Sequence, residues 1–301
     1  MRSTACFYFI FFFTHSVFSQ SGWTKSQGEF FGKIDYSRLS TDNYYSPDGT
    51  QLKTNVFTQN SINLYAEYGL RERWSLITSA PLYRQNSFNT TKKVSGVGDL
   101  RIDLKYRIIK NNNWPVALSL GAEIPTGRAN AFAQSKTIAL EKINLPTGDG
   151  EFNFWTTLAA SKSLGIGYVS LYSAYNFRTK YQGLAFQDLY QIGGEIGFNP
   201  IKSLWINGKI RGQWSTGESK HPELGFVRGD GTTYTLMSME AFYRFNSNIG
   251  ISATYLTGND LLASFKNIYI SSFYSLGLIY EFKPNPKTKK NHNHEIHYYF
   301  A

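Results

Sequence analysis

Along most of this chain apolar and polar residues alternate one for one. The clearest run covers residues 99–108, where Leu100, Ile102, Leu104, Tyr106 and Ile108 interleave with Asp99, Arg101, Asp103, Lys105 and Arg107. Side chains of a β-strand point to opposite faces with a period of two. The run therefore predicts a strand with one face in an apolar medium and the other among water or charges. The same alternation recurs down the chain in segments of about ten residues, the length at which a tilted strand crosses a hydrocarbon core.

Eleven further segments share the pattern. Ile34 and Tyr36 mark the first, then Val56, Ile62, Leu64, Ala66, Tyr68 and Leu70 the second; the third runs over residues 74–83. After the Asp99 strand come segments anchored by Val116 and Ile124, Phe152 and Ala160, Val169 and Phe177, Tyr190 and Phe198, and Leu204 and Trp214. Met237 and Tyr243, Ile249 and Tyr255, and Ile270 and Phe282 mark the last three. The connections fall into two classes in strict alternation. Short turns occupy residues 71–73, 110–113, 161–165, 199–203 and 245–248, and long polar loops occupy 39–53, 84–97, 125–150, 179–187, 215–231 and 257–267. A soluble sandwich has no reason to gather every long loop at one end. The expectation is all-β: a transmembrane antiparallel β-barrel of about 12 strands, with short periplasmic turns and long extracellular loops.

Aromatic residues at the strand ends, Tyr68, Trp74, Tyr83, Trp114, Phe177, Phe198, Trp214, Tyr243 and Phe282 among them, suit the girdles at two lipid–water boundaries. The mean hydropathy of −0.33 does not oppose this reading, because a barrel wall shows lipid only every second residue.

The N-terminus changes the compartment. Arg2, an apolar run over residues 6–13 and the pattern Val17-Phe18-Ser19 ahead of Gln20 form a secretory signal peptide, too short in its apolar part to span a bilayer as a helix. The expected organisation is a signal peptide at 1–19, an outer-membrane barrel at 20–282 and a basic periplasmic tail at 283–301. The single cysteine, Cys6, falls in the segment to be removed, so the mature chain would need no disulfide and offer no thiolate.

Lys and Arg total 31 against 21 Asp and Glu, a net charge of +10. Part of the excess is local, in Lys283, Lys287, Lys289 and Lys290 of the tail. No basic stripe interleaves with aromatics, so nucleic acid is not an expected partner; outer-membrane lipid is. The final strand ends in Tyr280-Glu281-Phe282, which resembles the terminal-strand signal read by the barrel-assembly machinery, although residues 283–301 follow it.

Gly96-Val97-Gly98-Asp99, continuing through Leu100 to Lys105-Tyr106-Arg107, resembles the outer-membrane channels of the phenol meta-pathway group, relatives of the fatty-acid and toluene transporters. Tyr68-Gly69-Leu70 before a tight turn agrees with it. So do Pro125-Thr126-Gly127 and Pro146-Thr147-Gly148, although Pro-Thr-Gly is also common turn chemistry. The resemblance implies passage of small hydrophobic or aromatic compounds. The chain departs from the fatty-acid transporters, which carry an N-terminal plug ahead of a larger barrel: only a short stretch separates Gln20 from the first strand, so the resemblance does not extend to a dedicated fatty-acid gate.

No catalytic residue, cofactor site or metal site is expected. The histidines are His15, His221, His292, His294 and His297, and none lies on a predicted strand. His221 alone sits at an external rim, and the tail histidines with Glu295 read as a solvated basic terminus rather than a metal tract. Gly96-Val97-Gly98 lacks the third glycine of a nucleotide-binding loop and precedes a strand, not a helix.

The inward-facing residues carry the functional expectation. Charges there are Glu67, Asp99, Arg101, Asp103, Lys105, Arg107, Glu123, Glu195, Lys209, Arg211, Glu240 and Arg244. Trp155, Tyr168, Tyr172 and Phe273 supply rings for an apolar solute, with Arg178 near to orient it. A barrel of 12 strands lies between the size that side chains fill, about 8, and the size that leaves an open pore, about 16. The expected function is a channel for passive uptake of small hydrophobic or aromatic solutes. The alternative is a non-transporting barrel, plugged by its own ion pairs, whose loops bind a partner or surface.

Overall fold

A computed structural model describes residues 20–111, 113–221, 229–271 and 273–284. The expected signal peptide, and the tail from residue 285 onward, lie outside the described residues. The barrel strands are β1 (Phe30–Tyr45), β2 (Gln51–Arg71) and β3 (Trp74–Phe88), followed after the short β4 (Val94–Gly96) by β5 (Leu100–Ile109) and β6 (Val116–Ile124). The hairpin of β7 (Phe132–Gln134) and β8 (Lys142–Asn144) comes next, then β9 (Asn153–Ser163), β10 (Gly167–Arg178), β11 (Leu189–Ile201) and β12 (Leu204–Ser215). β13 (Tyr234–Arg244), β14 (Ile249–Asn259), the short β15 (Ile268–Ile270) and β16 (Phe273–Phe282) complete the order.

Twelve long strands pair antiparallel with their neighbours, and β1 pairs with both β2 and β16, which closes the sheet. Closure satisfies the backbone groups an open edge would leave in lipid. The predicted alternation is the wall itself. On β16, Leu276 and Leu278 stand 68% and 66% exposed while Ile279 and Glu281, on the opposite face, are each at 4%. Such an apolar outer belt is untenable in water and ordinary in a membrane.

Two expected loops were drawn too long. β1 continues to Tyr45 and β2 begins at Gln51, so the connection expected at 39–53 shrinks to 46–50, and β3 runs on to Phe88. These extensions are paired ribbon rich in Ser, Thr, Asn and Gln on both faces, so hydrophobic periodicity has no contrast there even though the ladder persists. The β3–β5 ladder is shorter: it joins Trp74–Ser79 to Arg101–Tyr106 and stops. Beyond it Pro81, which has no N–H to give, accepts Gly98 N at 2.7 Å.

Candidate functional site: a layered lumen

The short-turn end of the barrel is crossed by residues 20–29. Gly22 N donates to Ser161 Oγ of β9 at 2.8 Å, Trp23 packs edge-on against Tyr168 of β10 at 5.6 Å, and Lys25 N donates to Ser75 Oγ of β3 at 2.8 Å. Ser161 and Ser75 are buried on the inner face, so the segment runs inside the wall. Gly22 is needed there, because a Cβ would lie 2.1 Å from the Pro115 carbonyl oxygen. The stretch before β1 that looked too short for a plug is therefore a lumen segment. Its few residues suffice because they cross the mouth and do not fold into a separate body.

Above this segment lies a belt of ion pairs. Lys33 Nζ meets Glu240 Oε1 at 2.5 Å, and Lys209 Nζ meets Glu240 Oε2 at 2.9 Å and Glu195 Oε2 at 3.8 Å. Tyr168 donates its hydroxyl proton to Glu195 Oε1. Around the wall, Lys105 faces Glu67 at 3.7 Å, Arg101 grips Asp103 at 2.7 Å, and Arg244 reaches Glu281 at 2.7 Å. Period-two pairing places them: Glu195 stands opposite Lys209 and Arg101 opposite Glu123 in register. Pairing is what makes such burial of charge tolerable.

Of the residues expected inside, Arg101, Asp103, Lys105, Glu195, Lys209 and Glu240 form this belt. Trp155 donates Nε1 to Glu123 Oε2 at 3.3 Å and lies beneath the Arg101 guanidinium, 4.5 Å from it. Arg107 stands apart near the short-turn rim, where its Nη2 donates to the Glu72 carbonyl at 3.1 Å. Arg178 also stands apart, towards the long-loop end, clamping the loop residue Glu151 at 2.5 Å and stacking over Phe186. Arg211 and Tyr172 lie between belt and mouth. The reading of residues missed Lys33, which alternates with Ile34 and was there to be found, and Glu151, which no periodicity marks.

A small pocket opens beside the N-terminal segment, lined by Gln20, Ser21, Tyr65, Arg101, Lys105 and Thr157 among others. Toward the long-loop end the interior turns apolar. Leu39, Phe57, Phe88, Leu145 and Tyr269 form one buried cluster with Ala133 of the β7–β8 hairpin, and Tyr234, Leu236, Leu256, Ile268, Ile270 and Phe273 form another.

The motifs behind the family resemblance meet at the same end. Asp99, just outside β5, accepts Gly127 N on Oδ1 at 2.9 Å and Asp149 N on Oδ2 at 2.6 Å. Thr126 Oγ1 donates to the Gly98 carbonyl at 2.7 Å, and Arg84 Nη1 to the Thr147 carbonyl at 3.0 Å. The two Pro-Thr-Gly turns are thus the two jaws of one clasp on Asp99. Burial, then the charge of Asp149, push the Asp99 carboxyl up to about 6 against these donors. Carboxylate oxygens of Asp99, Glu123 and Asp149 lie within 4.8 Å of one another. His221 is tied into loop packing, with Nε2 3.0 Å from the Ala185 carbonyl and its ring against Phe186.

No protein-family model matches the chain, and no curated protein does. Solved structures do match in fold. The chain resembles the COG4313 outer membrane channel from Pseudomonas putida F1 with a TM-score of 0.65 at 16% identity, over 89% of this chain and 100% of that one. It resembles the NanC porin with a TM-score of 0.52 at 10% identity, over 84% of this chain and 100% of that one. The translocator domain of autotransporter NalP from Neisseria meningitidis also matches, at 0.52 and 9% identity over 86% and 90% of the two chains. Identities this low show the fold alone, a closed transmembrane barrel shared by channels and translocators.

Proposed function

We propose that the chain is an outer-membrane channel for passive entry of small hydrophobic or aromatic solutes, exported by its signal peptide, presented to the assembly machinery by its last strand, and without catalytic activity. The observation that carries this reading is the layering of the lumen, in which buried Leu, Ile and aromatic side chains packed at the long-loop end, the vestibule of the proposed channel, lie over a charge-paired belt. An apolar solute loses little by leaving lipid or loop surface for such a vestibule, whereas a hydrated sugar must shed water against it. The motif resemblance to the phenol meta-pathway channels points the same way.

Liposomes carrying the purified mature barrel test it. They should admit phenol or toluene faster than empty liposomes while swelling little in arabinose. Equal entry of the aromatic into both, with no measurable current in a planar bilayer, would favour the rival reading of a barrel plugged by its ion pairs, with loops that bind a partner.

A further inference from the structure

Arg211 lies on the inner face of β12, directly across the ladder from Gly193 of β11 and Leu236 of β13. One rung towards the short turns is Lys209, held by Glu195 and Glu240, and one rung the other way is Gln213, opposite Tyr234. Arg211 therefore stands where the ionic belt ends and the apolar vestibule begins. Its neighbours in the belt are all balanced by carboxylates. Arg211 is not: it is only 8% exposed, and its Nε and Nη2 meet no hydrogen-bond acceptor among the described residues. A ring, that of Tyr234, lies 5.6 Å from the guanidinium carbon.

A buried guanidinium left with two idle donors is expensive unless an anion answers it. The surroundings say which kind. On one side are Leu236 and Tyr234, members of a buried apolar cluster. On the other, the Tyr172 ring covers Gly193, so close that a Cβ on Gly193 would sit 2.4 Å from it. Gly193 thus clears a floor of aromatic carbon beside the charge, and Tyr172 lies within electrostatic range of both Arg211 and Arg101 of the cavity wall.

We propose that Arg211 is a selectivity site for amphipathic carboxylates. The planar guanidinium receives the carboxylate through Nε and Nη2 in the forked geometry that suits it, while the apolar body of the solute rests against Tyr172 and Leu236. The inference rests on the channel reading above and deepens it, ranking aromatic or aliphatic acids above neutral molecules with the same apolar body.

The test is equilibrium binding and liposome entry of 4-phenylbutyrate beside its uncharged analogue 4-phenylbutan-1-ol, with acetate as a headgroup-only probe. The intact barrel should prefer the acid over the alcohol by roughly tenfold, the worth of a charge-assisted hydrogen bond pair, and should bind acetate far more weakly. In Arg211→Gln the acid-to-alcohol ratio should fall to about one, and in Arg211→Lys part of it should return, in preparations that keep the heat-modifiable gel mobility of a folded barrel. A ratio near one in the intact barrel, a preference that survives Arg211→Gln, or acetate bound as tightly as the acid would each overturn the proposal while leaving a channel. Failure of both acid and alcohol to enter would remove the channel reading and this site together.

Discussion

Glu195 and Lys209 face each other across the β11–β12 ladder, and Lys209 simultaneously holds Glu240 of β13, so one ammonium ties three strands together inside the wall. All three side chains are nearly removed from solvent. The mutual attraction offsets a desolvation cost that none of them could meet alone.

Lys209→Met should leave Glu195 buried without a cation, and Glu240 with Lys33 alone, and destabilise the barrel by about 3 to 5 kcal/mol. Adding Glu195→Gln should restore much of that loss, since Glu240 keeps Lys33 as its partner and no carboxylate is left without a cation. Urea denaturation of refolded protein in detergent micelles reads both. A single variant as stable as the parent would show that the belt is not ionised as drawn.

Asp99 binds its proton more tightly folded than unfolded, with a carboxyl at about 6 against an ordinary 3.8. The folded chain therefore holds a proton that the unfolded chain has released between those values. The contribution is fully present below pH about 4 and lost as pH rises through about 6, on the order of 1 kcal/mol for this half-buried group. Asp99→Asn should flatten that part of the stability-versus-pH curve. It should also expose residues 125–150 to protease, because the amide puts an NH2 donor where one of the two carboxylate oxygens now accepts from Gly127 N or Asp149 N.

Leu120 projects outward near the middle of β6, 57% exposed and flanked by Leu104 of β5. Leu120→Arg should cost about 2 to 4 kcal/mol in lipid, the penalty for a cation at the bilayer midplane. Leu120→Ala should cost much less. Folding yields into vesicles of two acyl-chain lengths measure the difference, and an innocuous arginine would place this face in water.

The barrel was legible in the residues because lipid forces an apolar side chain at every second position, and Leu100 to Ile108 display that with a charge between each pair. The inward identity of Arg101, Lys105, Glu195 and Lys209 follows from the same period. What could not be read was anything set by long-range packing. Nothing in Ser21-Gly22-Trp23 says that Gly22 reaches Ser161 or that Trp23 meets Tyr168, contacts spanning well over a hundred residues. The two Pro-Thr-Gly turns looked like ordinary loop chemistry because their common partner, the Asp99 carboxylate, lies on another connection. The paired extensions of β1 to β3 were lost because polar residues on both faces erase the pattern that marks a strand.

Passage through the barrel requires a lumen narrowed at the short-turn end by residues 20–29 rather than a solid core. Single-channel conductance of the mature barrel, measured beside a variant lacking residues 20–28, tests this directly. The intact barrel should show a small or intermittent current and the shortened one a current several-fold larger and steady, with unchanged gel mobility of the folded form. Identical, vanishing currents in the two would contradict the account, because the ion-paired belt alone would then seal the barrel.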